Sequence, residues 1–315
     1  MMFCAAGRRR VRGWGGRRRL SPRLRNGITR AVFVVVALTC SVSAFGQTDL
    51  SGYWALIRQE DFPGLSDRAE IGDFHGLPIN EAALHRAEAW DPGLLAVPEH
   101  QCEPADLVDF RRSVMFYVWM EFESLRAEFR SVPSPILKIN MRNAMKNREI
   151  WMDRRPHPPD YAAHTWSGFS VGEWVGPVLV VRTTHLKASR LTLTGIPSSD
   201  RATMTERFVR HGDVLTYISI IEDPVYLTEP LIRTSNFRRA PNAALPAYGC
   251  TPAVEIVRPK DHVPHYLFGQ NPYIDEFSRR YNLPVDVPRH GAAAALPEYA
   301  RDAMNAATRE PQQAP

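Results

Sequence analysis

A carboxylate and an imidazole four residues apart, Asp153 and His157, sit in the run Trp151-Met152-Asp153-Arg154-Arg155-Pro156-His157-Pro158-Pro159. Held on a loop stiffened by proline, such a pair can move a proton near neutral pH, where imidazole titrates. Turn chemistry accounts for the same residue types more simply, with Asp153 salt-bridged to Arg155 and His157 fixing the turn through a backbone hydrogen bond. A third candidate, His185, lies in Thr183-Thr184-His185-Leu186-Lys187. The fourth is Glu206. On a strand from Thr203 to His211 it shares a face with Met204 and Phe208, where burial makes it either a usable acid or base or the inward half of a structural ion pair with an arginine.

Other chemistries find less support. Gly168-x-Ser170-x-Gly172 has the spacing of a hydrolase elbow, but that elbow turns from strand into helix, whereas Val171 to Trp174 continues as strand before Gly176-Pro177. His157, His164, His185, His211, His262 and His265 form no ligand motif, and Pro264 keeps the last two off a shared helical face, so no metal is expected. No phosphate-binding loop or dinucleotide fingerprint occurs, and no cofactor is expected. A barrel lined by aromatic groups and a few polar ones is the usual form of a small-molecule pocket. Trp151, Arg155, Trp166, Phe169, Ser170, Trp174 and Tyr226 are the candidate ligand-binding residues on that ground.

The elements that must position these groups are short strands separated by turns. Strands are expected at Asp49–Ile57, Val114–Met120, Leu125–Arg130, Pro135–Met141 and Glu149–Asp153, then at Gly168–Trp174, Val178–His185, Thr203–His211, Val214–Glu222 and Glu229–Phe237. Asn80 caps one helix near 80–90, ended by Asp91-Pro92-Gly93. The fold class is therefore all-β: an antiparallel up-and-down barrel with a short N-terminal helix and, from Pro241, an extended C-terminal segment. Residues 45–287 make a single barrel domain and 288–315 a flexible tail.

Two resemblances bear on this reading. Gly52-x-Trp54 resembles the opening of lipocalin-like barrels, where the tryptophan closes the barrel floor. From about Trp54 to Cys250, the runs Trp151-Met152-Asp153-x-Arg155-Pro156-His157-Pro158, Gly168-x-Ser170-x-Gly172-x-Trp174-x-Gly176, Leu179-Val180-Val181-x-Thr183-Thr184 and Thr205-Glu206-Arg207-Phe208 resemble the signature of a large group of secreted bacterial proteins. That resemblance implies an exported setting and no particular reaction. Members of the group commonly carry Gly at the position of Arg154, His at Phe169 and Asp at Pro177 and Arg182.

Export is also written in the charge. The chain has a formal net charge of +5, but residues 1–44 contain ten arginines and no acidic residue, and the remainder is mildly acidic. A phosphate backbone is therefore a poor partner, and no nucleic acid is expected. The arginines precede the apolar run Ala31 to Leu38 and the small residues Val42-Ser43-Ala44, the layout of a signal peptide cleaved near Ala44 and too short to span a bilayer. The expected location is the periplasm or beyond, with no membrane span. Cys102 and Cys250 then remain as an even pair in an oxidising compartment, which favours one disulfide over two buried thiols.

The function expected is binding of a small, largely apolar molecule. Its rival is an isomerase, lyase or hydrolase without cofactor, using Glu206, Asp153, His157 and His185 for proton transfer. A third reading is a structural protein of the cell envelope.

Overall fold

The computed structural model describes residues 48–57, 71–74, 76–91, 93, 115–122, 134–141, 147–192, 195–245, 257, 259–261 and 265–309. The signal-peptide segment, the strand expected at Leu125–Arg130 and both Cys102 and Cys250 lie outside these residues.

Alternation of apolar and polar side chains produces β1 (Gly52–Ile57), β2 (Met115–Phe122), β3 (Pro135–Met141), β4 (Arg148–Trp151), β5 (Phe169–Val175) and β6 (Val178–Thr184). A small two-stranded sheet follows, β7 (Ser189–Arg190) with β8 (Pro197–Ser198). The chain then forms β9 (Thr203–His211), β10 (Val214–Glu222) and β11 (Leu231–Arg239). The nine longer strands close into a barrel in the order β1-β2-β3-β4-β5-β6-β9-β10-β11, with β11 pairing back to β1.

Nine strands cannot close with every neighbour antiparallel, because alternating up and down returns out of phase after an odd number. The pair β4–β5 absorbs the mismatch: it is parallel, with Ile150 in register with Ser170 and Trp151 with Val171. The all-β barrel stands, but the purely antiparallel meander is corrected at this one place. Parallel neighbours need a crossover rather than a hairpin. Residues 152–168 supply it, and they are the proline-rich run with its candidate Asp153 and His157.

Two glycines show why the crossover fits. Gly168 has φ +61, and a Cβ there would lie 2.5 Å from the Thr184 carbonyl oxygen. At Gly172 a Cβ would lie 2.7 Å from Met152 Sδ and 2.8 Å from Ile150 Cγ2, so β4 and β5 can approach only because that side chain is missing. Arg154 takes φ 58, a left-handed conformation that glycine adopts without strain.

The inward face of the barrel is large and mostly apolar. Trp54, Phe116, Phe208, Tyr217 and Phe237 are all essentially inaccessible to solvent. Phe116 and Phe237 meet edge to face with ring centroids 4.9 Å apart. Trp54 donates its indole N–H to the Leu50 carbonyl at 2.9 Å, and the Arg210 guanidinium lies over its ring, 5.6 Å from the centroid.

The expected helix is present as α1 (Glu81–Glu88), with the Asn80 side chain accepting from Ala83 N. It buries Ala83 and Ala87. The segment beyond Pro241, expected to be extended, is helical in part: α2 (Glu276–Tyr281), short 3-10 turns at Val287–Arg289 and Gly291–Ala295, and α3 (Pro297–Arg309). Its alanines, glutamate and arginines are good helix formers, and Pro297 opens the last helix where its missing N–H costs nothing. Among the described residues no helix is long and apolar enough to cross a membrane.

Candidate functional site

Inside the barrel the structure brings Glu206 to a partner that strand parity alone did not name. Arg148, at the start of β4, reaches past β5 and β6 to β9. Its Nη1 donates to Glu206 Oε1 at 2.8 Å and its Nη2 to Oε2. Nη2 also lies 3.2 Å from both Ser170 Oγ and Thr183 Oγ1, and those two hydroxyls are 2.9 Å apart. The Tyr217 hydroxyl donates to Glu206 Oε1 at 2.9 Å. Burial, followed by the neighbouring Glu206 carboxylate, pushes the Tyr217 phenol well above its ordinary range, so it stays a donor.

Arg148 and Glu206 are completely buried, and Arg148 Nε has no acceptor among the described residues. The Glu206 carboxylate accepts from the guanidinium at both oxygens and from the phenol at Oε1. Of the two readings of Glu206, the inward structural ion pair is the arrangement observed.

The outer face of β5 and β6 carries a second cluster, under the crossover. His157 Nδ1 lies 3.0 Å from Thr184 Oγ1, and the same hydroxyl lies 2.7 Å from His185 Nδ1. His185 Nε2 donates to the Pro159 carbonyl at 3.0 Å. His164 Nδ1 donates to the Leu186 carbonyl at 2.8 Å, and its ring lies 5.2 Å from that of His185. Thr165 N–H donates to the His185 carbonyl at 3.0 Å, which ties the end of the crossover to the chain leaving β6. His185 is buried with φ 58. Phe169 packs against His157, centroids 5.7 Å apart. Among the described residues no three His, Cys, Asp or Glu side chains converge to hold a metal ion.

Asp153 does not join this cluster. Its two oxygens accept from Arg155 Nε at 3.0 and 3.1 Å and from Nη2 at 2.7 Å, and no hydrogen bond or ion pair links it to His157. The Arg155 guanidinium in turn lies 3.5 Å from the centroid of the Trp151 ring. Of the two readings of this run, the salt bridge of Asp153 to Arg155 is the arrangement observed, whereas His157 bonds the Thr184 hydroxyl rather than a backbone group. Hydrogen bonds from Arg155 hold the Asp153 carboxyl at about 2, below the ordinary 3.8. A depressed carboxyl stabilises the fold above its unfolded value and loses that effect as pH falls through its folded value of about 2. Because the pair is partly in water, Asp153→Asn is expected to cost only about 1 kcal/mol at pH 7, a fraction of that near pH 2, and nothing once the pH is well below it. Urea unfolding of the variant and parent across this range measures it.

The remaining candidates are dispersed. Ser170 and Trp174 share the inward parity of β5, and Trp174 packs on the core with its indole nitrogen unpartnered among the described residues. Trp166 stands outside under Lys187, whose ammonium is 5.1 Å from its ring centroid. Tyr226 lies in the loop after β10, its ring 5.8 Å from the Arg86 guanidinium on α1. Trp151, Arg155 and Phe169 line the crossover. The seven therefore do not make one pocket.

Compared with known protein families, curated proteins and solved structures, the chain matches none.

Arg148, Thr183, Thr184 and Tyr217 complete these clusters beyond the residues singled out in the sequence. A signal for Arg148 was there: it has the parity of Ile150, so a strand beginning one residue earlier than Glu149 turns it inward beside an apolar neighbour. Thr183 and Tyr217 likewise share the buried faces of β6 and β10. Nothing local marks Thr184, whose role depends on the crossover.

Proposed function

We propose that the chain is an exported binding protein for a small, largely apolar molecule, held in the barrel with its polar end at the Arg148–Glu206 pair. The carrying observation is that pair itself. A fully buried ion pair adds little to stability, and well-packed apolar residues in its place are often neutral or stabilising. A barrel built only to fold gains nothing from it, whereas a ligand with one hydrogen-bond acceptor gains a fixed donor in Arg148 Nε, unpartnered among the described residues. The surrounding apolar side chains of β6, β9, β10 and β11 suit the rest of such a molecule. Interior proton transfer is disfavoured because Glu206 accepts from Arg148 and Tyr217 and makes no hydrogen bond to a histidine among the described residues. Export rests on the arginine-rich start and apolar run, and membership of the secreted bacterial group on the motif runs from Trp151 to Phe208.

Native mass spectrometry of the chain purified from the cell envelope tests this. The expected result is a copurifying apolar molecule that is lost in Arg148→Met/Glu206→Leu. Recovery of a chemically altered compound after incubation with a crude lipid extract, abolished in Glu206→Gln, would sink the pure-binding reading.

A further inference from the structure

The outer histidine cluster has its protons fixed by its partners. A carbonyl oxygen can only accept, so His185 Nε2, 3.0 Å from the Pro159 oxygen, carries a hydrogen. In the neutral ring His185 Nδ1 is then bare and must accept from the Thr184 hydroxyl. That hydroxyl has one hydrogen, now committed to His185, and so it accepts from His157, whose Nδ1 carries the hydrogen. What is left is His157 Nε2, a bare nitrogen with no partner among the described residues, on a half-buried ring braced by Phe169.

Burial, and then the neighbouring His185 and Arg182, push the His157 imidazole below its ordinary range, which favours the bare nitrogen at neutral pH. Those two groups are the titratable or charged neighbours acting on it, and Arg182 is exposed and makes no ion pair among the described residues.

We propose that the hydrogen-bonded chain His157–Thr184–His185 serves a second, outward-facing site, in which His157 Nε2 is the general base for hydrolysis of esters that carry an anionic group, recognised by Arg182. This goes beyond the binding reading, since it uses the opposite face of β6 and none of the interior groups.

In the reaction His157 Nε2 takes a proton from water as the water oxygen bonds to the ester carbonyl carbon. The tetrahedral intermediate then collapses with cleavage of the carbon–oxygen bond to the alcohol, and the departing alkoxide takes the proton from Nε2. The products are a carboxylic acid and an alcohol, and His157 is regenerated. While Nε2 is protonated, the Nδ1–H bond to Thr184 is that of an imidazolium, and the hydroxyl and His185 behind it spread the charge toward the Pro159 carbonyl. Thr184 and His185 are positioning residues here.

The probes are 5-acetoxy-2-nitrobenzoate, an aryl ester with a carboxylate, and 4-nitrophenyl acetate, its neutral counterpart. The purified chain is expected to hydrolyse the first with the higher kcat/KM, and Arg182→Gln to remove that preference. His157→Gln should lower kcat by about 100-fold, the range of a positioned general base. Thr184→Val should lower kcat and move the pH profile to lower pH, since the imidazolium loses its acceptor. Independently of any variant's folding, nitrogen-15 NMR of the unaltered chain should show Nε2 bare in His157 and Nδ1 bare in His185. A proton on His157 Nε2 in the neutral ring, unchanged hydrolysis in His157→Gln, or a preference that survives Arg182→Gln would each overturn the proposal.

Discussion

Glu206→Leu will destabilise the barrel by roughly 3 to 5 kcal/mol, and Arg148→Met by a similar amount, because either change leaves one buried charge without its partner. The double variant Arg148→Met/Glu206→Leu will recover most of that loss. The reason lies in the geometry: both guanidinium Nη atoms bond the carboxylate, while the remaining donors and acceptors, Ser170, Thr183 and Tyr217, are neutral and cannot balance a lone charge. Removing both charges leaves Ser170 and Thr183, which still bond each other at 2.9 Å, while the Tyr217 hydroxyl loses its Glu206 acceptor. A denaturant double-mutant cycle reads the coupling directly, and additive losses would show that the two side chains do not act as a unit.

Trp54→Ala will cost a comparable 3 to 5 kcal/mol, the range for deleting a large buried aromatic side chain. Trp54 is completely buried and sits in register with Phe116 on β2 and Arg239 on β11, the two strands that close the barrel around β1. The substitution leaves a cavity, frees the Leu50 carbonyl from its indole donor and uncovers Arg210, which lies over the ring. Trp54→Phe keeps the packing and loses the hydrogen bond, so its cost will be about 1 to 2 kcal/mol. Urea midpoints of the two variants separate the contributions. Equal losses in Phe and Ala would mean that the N–H bond, rather than ring volume, holds this end of the barrel.

Much of the barrel was legible because a period of two is a strong signal when one face is buried. β9 and β10 run Thr203–His211 and Val214–Glu222, the bounds that parity and the His211-Gly212-Asp213 turn had indicated. Glu206 pointed inward for the same reason. Its partner was harder, since an arginine at a strand start reads as a turn residue until the pairing of β4 with β3 and β5 is known. The parallel pair itself was invisible: a proline-rich run between two strands looks the same whether it makes a wide hairpin or a crossover. Whether Asp153 and His157 form a couple was not legible, because sequence spacing says nothing about which way two side chains leave a loop. Here the carboxylate turns back onto Arg155 while the imidazole turns onto Thr184, two strands away in the sheet order from where Asp153 begins. The small β7–β8 sheet and the C-terminal helices depend on tertiary packing and on alanine's helix propensity, neither of which alternation reports.

The parallel pair has a kinetic consequence. β4 and β5 share the register of only Ile150 with Ser170 and Trp151 with Val171, whereas β9 and β10 are paired from Val214–His211 through Glu222–Thr203. Amide protection follows ladder length and burial, and the least protected segment of a barrel is where it breathes. This barrel therefore has a seam, and the side chains directly behind it are Arg148 and Ser170. On the binding function proposed above, parting of these two strands is the shortest route to the buried charges that spares the long ladders, and faster amide exchange in β4 and β5 than in β9 and β10 is the result expected of it.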